Sequence, residues 1–262
     1  MSARDLRHRV AGTLLLVTSL FVLLSPAARA DAQEPLRVPY GVGEKLEYDV
    51  RFGRLRVGSG SMEVVGTEIV RGRDTWHTVF QVRAGNLFYR VNDQFDSWIE
   101  RTTGNSLRFT QDLNEGRRDV ERKFEIYPER SQFIEEGDTL EKSVAQPLDD
   151  GSFLYFLRTI PLVVGETYSF NRYFRPDRNP VTIKVLRKER ISVPAGDFDA
   201  VVVQPIIKTK GIFSEDGHAE VWLADDPSRI MLQMKSGLSF GSINLYLTSF
   251  RPKGRYILPP SR

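Results

Sequence analysis

The sequence predicts a mainly β protein: an antiparallel curved sheet or barrel, built from two repeated halves that one short helix joins. Apolar and polar residues alternate over most of the chain from Tyr40 onward. Clusters of Gly, Asp, Asn and Pro separate these runs at short intervals, and a set of landmarks recurs at a nearly constant spacing. A period of two is typical of strands with one buried face, and many short strands with regular turns indicate a sandwich or barrel.

Alternation is clearest in the run that begins at Leu46. Leu46, Tyr48, Val50 and Phe52 fall on one predicted face, and charged residues fall on the other. The later runs that follow the same pattern are Trp76, Thr78, Phe80 and Val82; Val120, Arg122, Phe124 and Ile126; Val181, Ile183 and Val185; Val221 and Leu223; and Ile243, Leu245 and Leu247. Glycines in the strand-like stretch 58–61 (GSGS) predict a bend or bulge that curls the sheet.

One segment breaks the β pattern and predicts the connecting helix, within residues 147–161. In its sequence DDGSFLYFLRTI, Phe153, Phe156, Leu157 and Ile160 recur at helical spacing, with acids before them and a proline after them. We expect this amphipathic helix to pack its aromatic face on the sheet or to plug the end of a barrel. Binding of a partner by the same face is the alternative.

Three landmarks suggest the internal repeat. The triplet Val-Gly-Glu occurs at 42–44 and again at 164–166, a shift of 122 residues. Gln81 and Gln204 are 123 residues apart, and Trp98 and Trp222 are 124 apart. A nearly constant shift indicates repeated structure. The predicted segments are a first β half (40–146), the connecting region (147–161), a second β half (162–250) and a C-terminal tail (251–262).

The N-terminal residues have the composition of a secretion signal. A basic start precedes an apolar run over 10–24, and Ala-Arg-Ala stands at 28–30. We therefore predict a signal peptide over residues 1–30, cleaved after Ala30, and a flexible lead-in over residues 31–39. The apolar run is shorter than the ~20 residues that span a bilayer, so no stable transmembrane helix is expected after cleavage. An uncleaved membrane anchor is the alternative.

Export sets the expected compartment and the charge of the mature chain. The leader lacks a twin arginine, which favours the general secretory route and a periplasmic or extracellular protein. Without the four arginines and one aspartate of the leader, 33 basic and 33 acidic residues remain. A neutral chain lacks the basic surface that nucleic-acid binding requires. Zero cysteines exclude disulfides, thiol catalysis and cysteine-bound metals.

Several segments resemble, in their order along the chain, the domain-of-unknown-function 3108 family of bacterial exported proteins. These segments are YGVGEKLEYDVRFGRLRVGSG, DQFDSW, FLYFLR, VPAGDFDAVVVQP and WLADDPSRIMLQMKSGLSFGSINLYL. Together they extend over nearly the whole mature chain. The resemblance implies an exported, β-rich protein of bacteria. It implies no activity and no catalytic residues.

The predicted mature chain offers few groups for catalysis or metal binding. Its two histidines, His77 and His218, accompany no nucleophile motif, so we predict no catalytic residue and lean towards a protein that is not an enzyme. They lack HExxH or His-x-His spacing, so no metal site and no cofactor are predicted. The acids Asp93 and Asp96 fall on opposite faces of one predicted strand.

These observations favour a binding function. We expect an envelope protein that binds a lipid, another amphiphile or a glycan chain, or another envelope protein. The ligand-binding candidates are Phe95, Asp96 and Trp98 in the first half, with Glu220 and Trp222 in the second. Two alternatives stay open: a hydrolase of envelope polysaccharide that uses Asp96 and Glu220, and an outer-membrane β-barrel that ends in SINLYLTSF.

Overall fold

The computed structural model describes residues 34–85, 90–116, 118–208, 218–236 and 243–254. The predicted signal peptide (1–30), its cleavage point at Ala30, the start of the lead-in (31–33) and the tail from 255 to 262 lie outside the described residues.

The described chain forms fourteen strands and one short α-helix. The strands are β1 (Lys45–Phe52), β2 (Leu55–Val70), β3 (Arg73–Gly85), β4 (Arg90–Glu100), β5 (Ser106–Glu115), β6 (Arg118–Tyr127), β7 (Gln132–Glu135), β8 (Glu141–Lys142), β9 (Thr167–Phe170), β10 (Val181–Val193), β11 (Gly196–Ile206), β12 (Glu220–Ala224), β13 (Met231–Lys235) and β14 (Ile243–Arg251). Helix α1 (Asp150–Phe156) stands between β8 and β9. The prediction of a mainly β protein is confirmed.

All fourteen strands belong to one antiparallel sheet. Strands β1 to β8 lie side by side in chain order, β1 pairs with β14 on its other side, and β13 back to β9 follow in reverse order. In the described residues, the edge strands β8 and β9 do not pair with each other, so the sheet is not closed. The sequence predicted either a curved sheet or a barrel, and the described structure is a curved, open sheet.

Because the sheet is curved, side chains from near its two ends pack in one core. The ring of Phe133 on β7 lies 5.1 Å from that of Phe174, which follows β9. Phe109, Phe124 and Phe174 pack in the same cluster at centroid distances of 5.3–6.3 Å. These side chains are buried, so the abundant aromatics largely fill an ordinary core.

The same irregularities recur in the two predicted halves. The pairing register shifts at Val64 in β2 and again at Val185 in β10, 121 residues later. The N–H of Gly43 donates to the carbonyl oxygen of Val64 (2.9 Å), and that of Gly165 donates to Val185 (2.8 Å). Both glycines have positive φ, 85° and 89°, which glycine adopts without strain. The division into two halves stays a prediction, and these contacts favour it.

Close approach of two strands explains one glycine of the stretch 58–61. A Cβ built on Gly58 would overlap the carbonyl oxygen of Arg83 and would lie 2.6 Å from the Cα of Ala84. Glycine therefore lets β2 and β3 pair closely here. A register shift between Val50 and Arg51 on the neighbouring strand β1 places a bulge beside the same stretch.

Helix α1 is shorter than predicted and is buried on more than one face. It ends at Phe156, because the N–H of Thr159 bonds back three residues to Phe156 (2.9 Å) in a tighter turn. The residues buried in the helix are Gly151, Ser152, Phe153, Leu154 and Tyr155. Burial therefore extends beyond the apolar stripe that the sequence predicted. Among the described residues, no helix has the length and apolarity to cross a membrane.

Candidate functional site

A cavity of about 220 Å³ lies beside helix α1. Other parts of its wall come from the turn after β4, from residues 36–38 of the lead-in and from Tyr40. Most of the lining is apolar, and Arg172 is a charged group within it. The apolar side chains are Leu36, Val38, Ile99, Leu148 and Phe156. The cavity is smaller than the roughly 300–1,000 Å³ of pockets that enclose drug-sized ligands, so it suits one narrow apolar group.

Asp149 fixes the N-terminal end of the helix against the sheet. Its carboxylate accepts hydrogen bonds from the backbone N–H groups of Gly151 (2.9 Å) and Ser152 (2.7 Å), which caps the helix. It also accepts from the hydroxyls of Ser97 on β4 (2.6 Å) and Ser106 on β5. Burial raises the pKa of Asp149 to about 6, against the lowering effect of these hydrogen bonds.

A buried ion pair fixes the other end of the helical segment. Arg158 donates from Nη1 and Nη2 to the two carboxylate oxygens of Glu44, at 2.6 and 3.0 Å. Its Nη2 also donates to the carbonyl oxygen of Ser228 (2.8 Å), in the turn between β12 and β13. The side chains of Arg158 and Glu44 are 0% and 5% exposed. The region that carries the cavity is therefore anchored to both predicted halves.

The described part of the lead-in forms hydrogen bonds with the rest of the chain, and the flexibility predicted for residues 31–39 stays a prediction. The N–H of Leu36 donates to the carbonyl oxygen of Arg101 (2.6 Å). The ammonium group of Lys253 donates to the carbonyl oxygen of Val38 (2.9 Å). Just after it, the buried ring of Tyr40 packs edge-on against Trp76, with centroids 5.2 Å apart. These bonds hold the segment in place as a wall of the cavity.

Arg172 is half-buried and is fixed by its surroundings. The N–H of Leu148 donates to its backbone carbonyl (2.5 Å), and its Nε donates to the carbonyl oxygen of Gln146 (2.9 Å). Its Nη2 bonds to the carbonyl of Gly104 (3.3 Å) and the side chain of Asn105 (3.1 Å). All four partners are neutral, and desolvation by burial lowers the pKa of Arg172 to about 10.

The structure does not bring the five predicted ligand-binding residues together. Phe95 lies on the inner face of β4, where its ring packs 6.3 Å from Phe109 and 6.0 Å from Phe80. Asp96 and Trp98 alternate with it and lie on the outer face. Phe95 therefore belongs with the aromatic core, apart from the other four.

Trp98 and Asp96 take part in a compact outer-face cluster around His77. The ring of His77 stacks on Trp98 with centroids 4.4 Å apart, and its Nε2 lies 2.7 Å from Asp96 Oδ1. Its Nδ1 lies 2.9 Å from a carboxylate oxygen of Glu68, and Trp98 Nε1 donates to the other oxygen (2.8 Å). Both nitrogens of this histidine are thus engaged by carboxylates.

Trp222 and Glu220 lie in a similar cluster on the outer face of the second half. Trp222 Nε1 donates to Glu189 (2.6 Å), and Lys235 Nζ lies 5.0 Å from the centre of its ring. Glu220 accepts from both terminal nitrogens of Arg187, at 3.1 and 2.9 Å. Trp222 is only 3% exposed. The indole is therefore covered by its neighbours.

The two carboxylates of the hydrolase alternative lie far apart along the sheet. Asp96 is on β4 and Glu220 on β12, with five strands between them. Neighbouring strands are ~4.8 Å apart, so roughly 29 Å of sheet surface separates them. Glycoside hydrolysis needs two carboxyl groups within about 10 Å. Among the described residues, no group of three or more His, Asp or Glu forms a metal site.

The cluster around His77 predicts a pH-dependent contribution to stability. Asp96 and Glu68 outweigh partial burial and raise the pKa of His77. A histidine whose pKa is higher in the folded state stabilises the fold fully at pH values below its pKa in the unfolded state, about 6.5. This stabilisation is lost as the pH rises through its pKa in the folded state. The wild-type protein should be more stable than His77→Gln. We expect this difference in the free energy of unfolding to be about 1 kcal/mol larger at pH 5.5 than at pH 9. Urea titrations at both pH values would measure it; an equal difference would contradict it.

Sequence reasoning did not select the residues that line the cavity as ligand-binding residues. Leu36 and Val38 fall in the predicted lead-in, and Arg172 was not singled out. One signal was available for Arg172, which stands between aromatic residues in YSFNRYF (168–174), a run without an acid. An arginine among aromatics must be desolvated or paired when the segment packs.

Comparison with protein families gives one match that spans most of the chain. The family is described as "Protein of unknown function (DUF3108)", and its match runs over residues 47–248. This chain belongs to the DUF3108 family. The resemblance predicted from the sequence is thereby confirmed. A comparison of the DUF3108 chain with curated proteins gives no match.

The DUF3108 chain is also similar in fold to solved structures. A β-barrel-like protein of the DUF1849 family from Brucella abortus matches with a TM-score of 0.50 and 10% identity, over 81% of this chain and 98% of that one. A structure assigned as a lipoprotein, from Parabacteroides distasonis, has a TM-score of 0.38 and 13% identity over 82% and 97%. A protein described as exported, with a YmcC-like fold, from Bacteroides fragilis, matches with a TM-score of 0.31 and 9% identity, over 83% of this chain and 99% of that one.

Proposed function

We propose that this DUF3108 protein is an exported envelope protein that binds an apolar or amphiphilic ligand in the cavity beside helix α1. The observation that carries the proposal is the cavity itself, about 220 Å³ with a mainly apolar lining. An apolar ligand gains from leaving water for such a site. Export rests on the leader-like composition of residues 1–30.

The cavity favours a lipid or another amphiphile over a glycan chain. A glycan would use open aromatic faces and many hydrogen-bonding groups, whereas Trp222 is covered and Trp98 stacks on His77. The cavity offers the opposite chemistry, because aliphatic side chains and the ring of Phe156 dominate its lining. Its small volume suits one chain of an amphiphile.

The bonds around the cavity support a role in binding because they preorganise its wall. The helix is capped by Asp149 and tied to Glu44 through Arg158. The lead-in is held at Leu36 and Val38. A preformed site does not lose free energy to ordering when the ligand enters, so even a small cavity can bind measurably.

Filling the cavity tests this function. Val38 lines the cavity from the lead-in and is half-buried, so Val38→Trp should occupy the space with little disturbance of the sheet. We expect the variant to bind decanol at least about tenfold more weakly than the wild-type protein. Isothermal titration calorimetry on the full exported chain would measure the two affinities.

Leu55→Trp is the matched control, because Leu55 is 71% exposed and does not line the cavity. It should bind decanol as the wild type does. Native mass spectrometry of protein purified without detergent would add whether a lipid accompanies the chain. Failure of the wild-type protein to bind decanol, decanoate or any co-purified lipid would overturn the proposed function.

A further inference from the structure

We propose that Arg172 makes the cavity selective for single-chain amphiphiles with an anionic head group, a carboxylate or a phosphate. This inference rests on the proposed function and adds the chemical class of the ligand. Within the described residues, no carboxylate lies within 4.0 Å of the guanidinium of Arg172. Arg172 is half-buried, and a guanidinium partly withdrawn from water without a counter-charge is costly; an anion beside it would offset that cost.

The hydrogen bonds of Arg172 leave one end of the guanidinium for a ligand. Nε and Nη2 are bound to Gln146, Gly104 and Asn105, whereas Nη1 has no hydrogen-bond partner among the described residues. The guanidinium carbon lies 4.8 Å from the centre of the Phe156 ring, which also lines the cavity. The charged group and the apolar wall are therefore adjacent, as the head and the first carbons of an amphiphile require.

Arg158 shows how a guanidinium with an internal counter-charge is held in this protein. Arg158 is fully buried and forms two hydrogen bonds with Glu44. Arg172 lacks such a partner, and burial lowers its pKa towards about 10. It still carries its charge at neutral pH. Its charge thus lies in a half-buried place without a carboxylate partner from the described chain.

The cavity limits the apolar part of the ligand. At about 220 Å³ it is below the usual range of ligand pockets, so a molecule with two acyl chains or a fused ring system would not be enclosed. One chain can place its first carbons along Ile99, Leu148 and Phe156 while the head group meets Arg172. Decanoate, decyl phosphate and neutral decanol are probes with the same chain and different heads.

The test compares the affinities of these three probes for the full exported chain by calorimetry at neutral pH. We expect the wild-type protein to bind decanoate or decyl phosphate about 10- to 100-fold more tightly than decanol, the gain of a charge-assisted hydrogen bond. Arg172→Met should remove this preference and leave decanol binding within about twofold. The tighter of the two anions identifies the head group.

Arg54→Met is the matched control, because Arg54 is exposed and does not line the cavity. We expect it to keep most of the preference for anions, since water screens an exposed charge. Equal affinity of the wild-type protein for decanoate, decyl phosphate and decanol would overturn the inference while leaving the proposed function intact. Loss of the preference in Arg54→Met, but not in Arg172→Met, would also overturn it. The wild-type comparison decides the matter if Arg172→Met does not fold.

Discussion

Replacing Arg158 by methionine is expected to lower the free energy of unfolding by about 3–5 kcal/mol. The substitution leaves the carboxylate of Glu44 buried without its partner and removes the bond to the Ser228 carbonyl. An isolated buried charge is much more costly than the loss of one hydrogen bond. Unfolding in guanidinium chloride, followed by tryptophan fluorescence, would measure the change.

Two variants separate the cost of the unpaired charge from the loss of packing. Glu44→Met with Arg158→Met removes both charges, and we expect it to recover most of the lost stability, because an apolar replacement of a buried pair is often neutral. Arg190→Met breaks an exposed pair with Asp199, whose side chains are 66% and 73% exposed, and should cost at most about 1 kcal/mol. A loss below 1 kcal/mol in Arg158→Met would show that the pair contributes no more than a surface bridge.

Replacing Gly58 by alanine is the second change with a large expected effect. The new Cβ would overlap the Arg83 carbonyl oxygen and approach Ala84 Cα to 2.6 Å, so the backbones of β2 and β3 would have to separate. Backbone atoms cannot rotate away as a side chain does. We expect a loss of about 3 kcal/mol in the free energy of unfolding, at the upper end for overpacked sites.

Gly66→Ala is the control for this substitution. Gly66 lies on the same strand, but no atom lies within 4 Å of a Cβ built there, and its φ is not positive. Alanine reduces the freedom of the unfolded chain, so this variant should be unchanged or more stable by about 0.4–1 kcal/mol. Similar losses at both positions would mean that glycine is needed for flexibility in β2 rather than for close pairing.

The strands and their inner faces could be predicted from alternation. Leu46, Tyr48 and Val50 are all buried, as their spacing predicted, whereas Phe52 at the end of the same run is 42% exposed. Alternation fails where both faces are covered. Val201, Val202 and Val203 on β11 are consecutive and all buried. Pattern alone does not assign a face to such residues.

The site could not be predicted for a related reason. Trp98 and Trp222 were selected as ligand-binding candidates, but the ring of His77 stacks on Trp98, and Trp222 is buried with Lys235 over its ring. The cavity is formed by segments distant in sequence, from Leu36 and Ile99 to Arg172. The spacing of residues along the chain does not show which distant segments pack together. The helix end was similarly decided by a turn at Thr159 that periodicity does not encode.

Pairing of the first strand with the last has a consequence for how this protein is made. β1 joins β14 with Tyr48 opposite Leu247, so contacts about 200 residues apart in sequence complete the sheet. Closing so long a loop is slow relative to forming neighbouring hairpins. Among the described strands, β14 is synthesised last, and until then one edge of β1 lacks its partner strand. The nascent chain therefore cannot complete its sheet until β14 has been synthesised.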